Sequence, residues 1–158
     1  DLVVTGVQTC ALPIYSFNSK DKNRKKYRVI ITPPFTLIQT YAKHFSNKKI
    51  SIGSQNCYQK DRFSSNTAAV SPFMIKMVGA KYTLVGHSDN WSEGDTNEIL
   101  KNKFKFSLKN NLKVVFCIGE NKIDKKNKKT FSALKKQITK VLDSKINMKY
   151  IIVAYEPI

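Results

Sequence analysis

Three places in the 158-residue chain set a reactive side chain directly after a run of β-branched and apolar residues. Lys81–Val85 (KYTLV) leads into Gly86-His87-Ser88, Lys113–Ile118 (KVVFCI) into Gly119-Glu120, and Tyr150–Ala154 (YIIVA) into Tyr155-Glu156-Pro157. In α/β proteins the reactive groups gather where parallel strands end, at the carboxyl edge of the sheet. A histidine and a glutamate arriving there from different strands suit one kind of chemistry: the imidazole polarises a carbonyl while the carboxylate takes a proton from the adjacent carbon. Each residue also has a plainer reading. A histidine at a strand end can serve as a structural hydrogen bonder, and a glutamate before proline can be a solvated loop carboxylate.

Other chemistries find less support. Neither G-x-G-x-x-G nor a Walker sequence occurs, which counts against dinucleotide and ATP folds. Two histidines, His44 and His87, are too few for most zinc sites, and the three cysteines show no C-x-x-C spacing. His44 falls on a helix away from the strand ends and is given no role.

The elements that must position these groups alternate along the chain. Tyr27–Thr32 (YRVIIT) reads as a strand stopped by Pro33-Pro34, and Phe35–Phe45 as a helix with Leu37, Ile38 and Tyr41 at helical spacing. Lys49–Gly53 reads as a further strand, followed by a polar loop from Gln55 to Thr67. Ser71 with Pro72 behind it is a helix N-terminus, because proline at the first helical position removes an N–H that has no partner there. Asn97–Asn110 and Thr130–Leu142 read as helices, the second carrying Phe131, Leu134, Ile138, Val141 and Leu142. Five continuously apolar strands separated by helices predict the α/β class, a parallel sheet covered by helices.

Composition is that of an ordinary globular domain, 41% hydrophobic and 25% charged. No apolar run approaches the ~20 residues of a membrane-spanning helix, so no membrane partner is expected. A net charge of +17 usually points to nucleic acid or an anionic surface. Here it comes from 25 lysines and only three arginines (Arg24, Arg28, Arg62), beside 13 asparagines. Arginine makes the bidentate base and phosphate contacts that lysine cannot reproduce. The pattern therefore reads as the drift of an A/T-rich genome, with Lys20–Lys26 and Lys122–Lys129 as solvated helix faces or loops. A nucleic-acid partner is not expected. Residues 1–14 (DLVVTGVQTCALPI) stand apart, containing no lysine or asparagine. They make a poor secretory signal, lacking a positive n-region and interrupted by Pro13. They resemble a translated sequencing-adapter remnant and are expected to be a non-native extension without function.

Taken together, Val85-Gly86-His87-Ser88, Phe116-Cys117-Ile118-Gly119-Glu120 and Ala154-Tyr155-Glu156-Pro157 resemble the three central motifs of the triosephosphate isomerases, in that family's order and at about its spacing. Ile31-Thr32-Pro33-Pro34-Phe35, Gln55-Asn56-Cys57, Ser71-Pro72 and Gly79-Ala80-Lys81-Tyr82 agree, so the likeness runs from about Tyr27 to the last residue. The resemblance implies that residues 15–158 are a partial (β/α)8 barrel domain, truncated at both ends. It implies interconversion of dihydroxyacetone phosphate and D-glyceraldehyde 3-phosphate through an enediolate, in glycolysis and gluconeogenesis. Glu156 matches the general base and His87 the electrophile; the family is itself the usual illustration of a glutamate base partnered with a neutral histidine beside a helix N-terminus. Ser88-Asp89 can open such a helical turn. Ser88 matches the residue that holds the glutamate in the open site. Cys117 matches a strand cysteine beside the base, or is simply a small core residue. Cys57 matches an interface-loop cysteine, or is a loop thiol. No cofactor and no metal are implied, because protein groups supply the electrostatics. A phosphorylated triose is the implied substrate, and a cytoplasmic homodimer through the loop around Gln55–Val70 the implied full-length assembly.

The sequence also departs from the family pattern. No Asn-x-Lys motif precedes Tyr27, so the lysine that binds the substrate phosphate is absent from this chain. The chain ends at Ile158, where the mobile lid should begin. A whole barrel needs about 250 residues, so a piece with five of eight strands is expected, inactive by itself. Asp89 stands for a longer carboxylate, Asn90 for an arginine, and Thr67-Ala68-Ala69 for Thr-Gly-Glu. The two charged partners are missing together, which avoids stranding either one. The competing class is a lysine-rich, non-catalytic binding module for RNA or another polyanion on a barrel-derived scaffold.

Overall fold

The computed structural model of the chain describes residues 2–6, 28–46, 50–61, 66–143 and 146–157. Its strands are β1 (Leu2–Gly6), β2 (Arg28–Thr32), β3 (Ile50–Ser54), β4 (Tyr82–Val85), β5 (Lys113–Ile118) and β6 (Ile151–Tyr155). Its helices are α1 (Ile38–His44), α2 (Pro72–Met77), α3 (Ser88–Ser92), α4 (Asn97–Lys109), α5 (Lys122–Lys126) and α6 (Thr130–Val141). All six strands are parallel and lie side by side in chain order. An order without reversal leaves no switch point of the doubly wound kind; it is the progressive winding of a β/α barrel, here a partial one.

The five strands anticipated from the sequence are present. Leu2–Gly6 adds a sixth, paired with β2 from Leu2 opposite Arg28 to Gly6 opposite Thr32. The remainder of residues 1–14 and the Lys20–Lys26 cluster lie outside the described residues.

Alternation along the strands builds two apolar layers, since successive side chains point to opposite faces. Val29, Ile31, Val114, Phe116 and Ile118 face the helices and pack with Ile38, Tyr41, Ile75, Leu100 and Phe104. Ile30, Leu84, Val115 and Cys117 face the other way, toward the barrel interior. Thr96 caps α4 by accepting from the Ile99 N–H at 3.2 Å, and Leu100, Phe104 and Ser107 then bury one stripe of that helix. Phe104 meets Phe116 edge-on at 5.0 Å between centroids. Ser71 caps α2 from the position expected, its Oγ accepting from the Met74 N–H.

The sequence reading gives no bounded helix at Ser88-Asp89, only a helical turn, nor at Lys122–Lys129, only helix faces or loops; the structure has α3 and α5 there, each a five-residue helix too short to show an apolar period. The helix expected from Phe35 starts as a 3-10 turn, Phe35–Leu37, before α1. Phe131, counted with the apolar residues of α6, is 81% exposed, while Val141 is buried and Leu134 and Ile138 pack on the core. Beyond β6 no described element follows, and its outward residues Val153 and Tyr155 are half exposed.

Candidate active site

β4 ends in a turn that only glycine takes easily. Gly86 has φ +84°, and a Cβ there would press on the Cys117 carbonyl and the Phe116 ring at 3.0 Å. The turn frees His87 from the sheet and makes it the N-cap of α3, the helix opening that Ser88-Asp89 foreshadowed. His87 Nδ1 accepts from the Asp89 N–H at 3.2 Å. A neutral imidazole that accepts at one nitrogen carries its proton on the other, so Nε2–H is the donor. That Nε2 lies 3.6 Å from Glu156 Oε2. The exposed Asp89 carboxylate also stands 3.5 Å from Nδ1, where water screens it.

Glu156 is carried in by β6. Ile118 pairs with Tyr155, and the Glu156 N–H then donates to the Ile118 carbonyl at 2.8 Å. The next residue of the neighbouring strand is Gly119, and a side chain there would collide with the Glu156 carbonyl. Gln137 of α6 holds both faces of Gly119: its Oε1 accepts from the glycine N–H at 3.1 Å and its Nε2 donates to the glycine carbonyl at 2.7 Å. Beside it the buried Glu120 carboxylate accepts from the Tyr155 hydroxyl at 2.9 and 3.0 Å and from Thr130 Oγ1 at 3.1 Å. Its own backbone N–H, then Tyr155 and Thr130, hold the Glu120 carboxyl below the usual range against the opposing effect of burial. Donation to that carboxylate raises the Tyr155 phenol above its ordinary value.

Ser88, Cys117, Gln137 and Glu156 line one small cavity of about 40 Å³. Burial, and secondarily the Glu156 charge, push the Cys117 thiol up to about 12, so it is a neutral wall of the site. Cys57 is buried too, its Sγ 3.4 Å from Ser107 Oγ of α4. His44 lies on α1, edge-on to Phe45, away from this group. Ala69 of the loop around Gln55–Val70 and Asn90 of α3 line one cavity of about 360 Å³, so these two uncharged side chains face the same space. Among its lining residues is an ion pair, buried Lys103 with Asp95 at 2.7 Å, and Asn56 accepting from Lys103 at 2.8 Å.

The sequence reading missed Gln137, the partners of Glu120, and this ion pair. Gln137 had a signal: it falls three residues after Leu134 and beside Ile138, a polar side chain on the apolar stripe of α6. Among the described residues no group of three or more metal-ligating side chains converges, and no helix is long and apolar enough to cross a membrane.

A parallel β/α sheet wound in one direction, with a glutamate and a capped histidine facing each other at its carboxyl edge, belongs to the class of β/α-barrel proteins. The family profile described as Triosephosphate isomerase matches residues 6–158, and the chain belongs to that family. It is 30% identical over 157 residues to the triosephosphate isomerase of Dictyoglomus thermophilum, covering 96% of this chain and 63% of that protein. It is 37% identical over 137 residues to that of Ruthia magnifica, with 84% and 54% covered, and 35% identical over 145 residues to that of Wolbachia pipientis, with 92% and 56% covered. The chain thus spans between half and two thirds of these relatives. The crystal structure of triosephosphate isomerase from Bartonella henselae superposes with a TM-score of 0.79 at 23% identity, covering 99% of this chain and 67% of that one, which shows the shared fold.

Proposed function

We propose that the chain carries the proton-transfer half of a triosephosphate isomerase, interconverting dihydroxyacetone phosphate and D-glyceraldehyde 3-phosphate. The Glu156 carboxylate takes the proton from the carbon next to the carbonyl. His87 Nε2–H donates to the carbonyl oxygen as negative charge gathers on it, which lowers the cost of the enediolate. Glu156 then returns the proton to the adjacent carbon. Ser88 steadies the carboxylate between turnovers, and Cys117 packs beside it as a neutral thiol. The observation that carries this reading is the 3.6 Å approach of Glu156 Oε2 to a histidine nitrogen whose opposite nitrogen is already engaged as an acceptor.

The phosphate grip has to come from residues that this chain lacks, so the full-length protein is the enzyme and the 158-residue chain alone is inactive. The same reading makes the full-length protein a cytoplasmic homodimer joined through the loop around Gln55–Val70, and residues 1–14 a non-native extension. Long reads across the locus test the extension: recovery of DLVVTGVQTCALPI in frame would overturn it. Steady-state kinetics on the chain completed to full length test the chemistry. Glu156→Asp withdraws the carboxylate by about one carbon–carbon bond, and a 1 Å misplacement costs about a hundredfold in rate. His87→Gln lowers kcat with less effect on KM. Wild-type kcat in either variant would refute the assignment.

A further inference from the structure

We propose that Gln137 is a positioning residue for Glu156, acting through Gly119; the inference rests on the isomerase reading. Gln137 sits where α6 packs on the core, between Leu134 and Val141, a place where an amide costs free energy unless its polar atoms find partners. Both of its polar ends find them on a single residue. The Gly119 N–H donates to Oε1 and the Gly119 carbonyl accepts from Nε2, at 3.1 and 2.7 Å. Gly119 lies just past the end of β5, so the helix side chain supplies the pair of hydrogen bonds that a strand neighbour gives within a ladder.

Gly119 in turn sets the backbone of the base. It has no room for a Cβ against the Glu156 carbonyl, and the preceding carbonyl, of Ile118, accepts the Glu156 N–H at 2.8 Å. The path from α6 to the carboxylate is therefore short and tightly packed: Gln137, Gly119, the Glu156 backbone. Thr130, the first residue of α6, holds Glu120 and through it the Tyr155 hydroxyl, so the same helix braces the residue before the base as well. A loosened Gly119 lets Glu156 drift, and drift at a proton-transferring carboxylate acts on the chemical step before it acts on binding.

The test uses the chain completed to the length of its relatives, for example with the flanking segments of the Wolbachia protein. Gln137→Met keeps the length and removes both hydrogen bonds. The expected result is a kcat lowered about tenfold with KM unchanged. The primary deuterium isotope effect on kcat rises, for substrate deuterated at the abstracted position, because proton transfer has become the slower step. Gln137→Glu reproduces the amide pattern only when its carboxyl is protonated, its O–H donating to the Gly119 carbonyl. Its kcat, taken as a ratio to wild type at each pH, therefore recovers as pH falls. A folded Gln137→Met variant with wild-type kcat and isotope effect overturns the inference. So does a loss of kcat that tracks the unfolded fraction and leaves the isotope effect unmoved, which marks a merely structural role. The reading beneath is tested separately: if the completed wild type does not isomerise, or Glu156→Gln keeps full kcat, the isomerase assignment fails and this inference with it.

Discussion

Glu156 Oε2 and His87 Nε2 stand 3.6 Å apart although β5 lies between the strands that deliver them. The approach is chemically directed, because His87 Nδ1 is committed to the Asp89 N–H and only Nε2–H faces the glutamate. A glycine turn before His87 and a glycine contact beneath Glu156 aim the two side chains at one point.

The histidine tautomer is directly measurable. Nitrogen-15 spectra of His87, at a pH where the imidazole is neutral, should show a protonated Nε2 and a bare Nδ1. The reverse pattern would remove the hydrogen-bond donor from the site.

Much of this was legible in the sequence, for physical reasons that differ by element. β4 and β5 are mostly apolar runs because they are buried on both faces of a parallel sheet; β6 has the same apolar pattern though half exposed here, and His87 and Glu156 fall just past the ends of β4 and β6. Ser71-Pro72 announced α2 because capping chemistry is local. The five-residue helices α3 and α5 hold together through caps at His87 and Asn121 and carry too few residues to show a period. Gln137 was only half legible: its place on the apolar stripe of α6 marks it out, but no spacing rule links that amide to a glycine 18 residues earlier, at the end of the strand the helix follows. The ion pair of Lys103 with Asp95 hid within a lysine-rich composition that read as surface.

That ion pair should matter to stability. Removing Asp95 leaves the nearly buried Lys103 ammonium without its countercharge, with the Asn56 oxygen still accepting from it, and breaking such a pair costs about 3–5 kcal/mol. Asp95→Ala in the completed chain should therefore lower the midpoint of urea unfolding strongly. Adding Lys103→Met should recover part of the loss, since the stranded ammonium is gone. Equal destabilisation by the single and the double variant would show that the charge pair is not what holds this region.

Ala68 takes φ +67°, a left-handed conformation that favours glycine. An alanine in the left-handed region costs about 1–2 kcal/mol, partly offset by the entropy a glycine loses on folding, about 0.5–1 kcal/mol. Ala68→Gly is thus expected to stabilise the protein by about 0.5–1 kcal/mol, read from chemical denaturation. A lower stability would mean that the loop adopts another backbone.

The thiols should report burial through pH. Cys117 is held up at about 12 and Cys57 is raised too, in both cases chiefly by burial. Protonated thiols favour the fold fully below the ordinary thiol range, and this contribution shrinks as pH rises from there toward 12. Glu120 works in the opposite sense: its lowered pKa stabilises the fold above the ordinary carboxylate range, and that contribution is lost as pH falls through the lowered value. Iodoacetamide at pH 8 should leave both cysteines unmodified until denaturant is added. Rapid native labelling of Cys117 would contradict its place behind Glu156.

The most direct test of the account is an isomerase assay on three proteins: the chain completed to full length, the same protein with Glu156→Gln, and the 158-residue chain alone. Turnover of dihydroxyacetone phosphate by the first, with loss of turnover in the other two, is the predicted result. An inactive completed chain, or undiminished activity after Glu156→Gln, would contradict it.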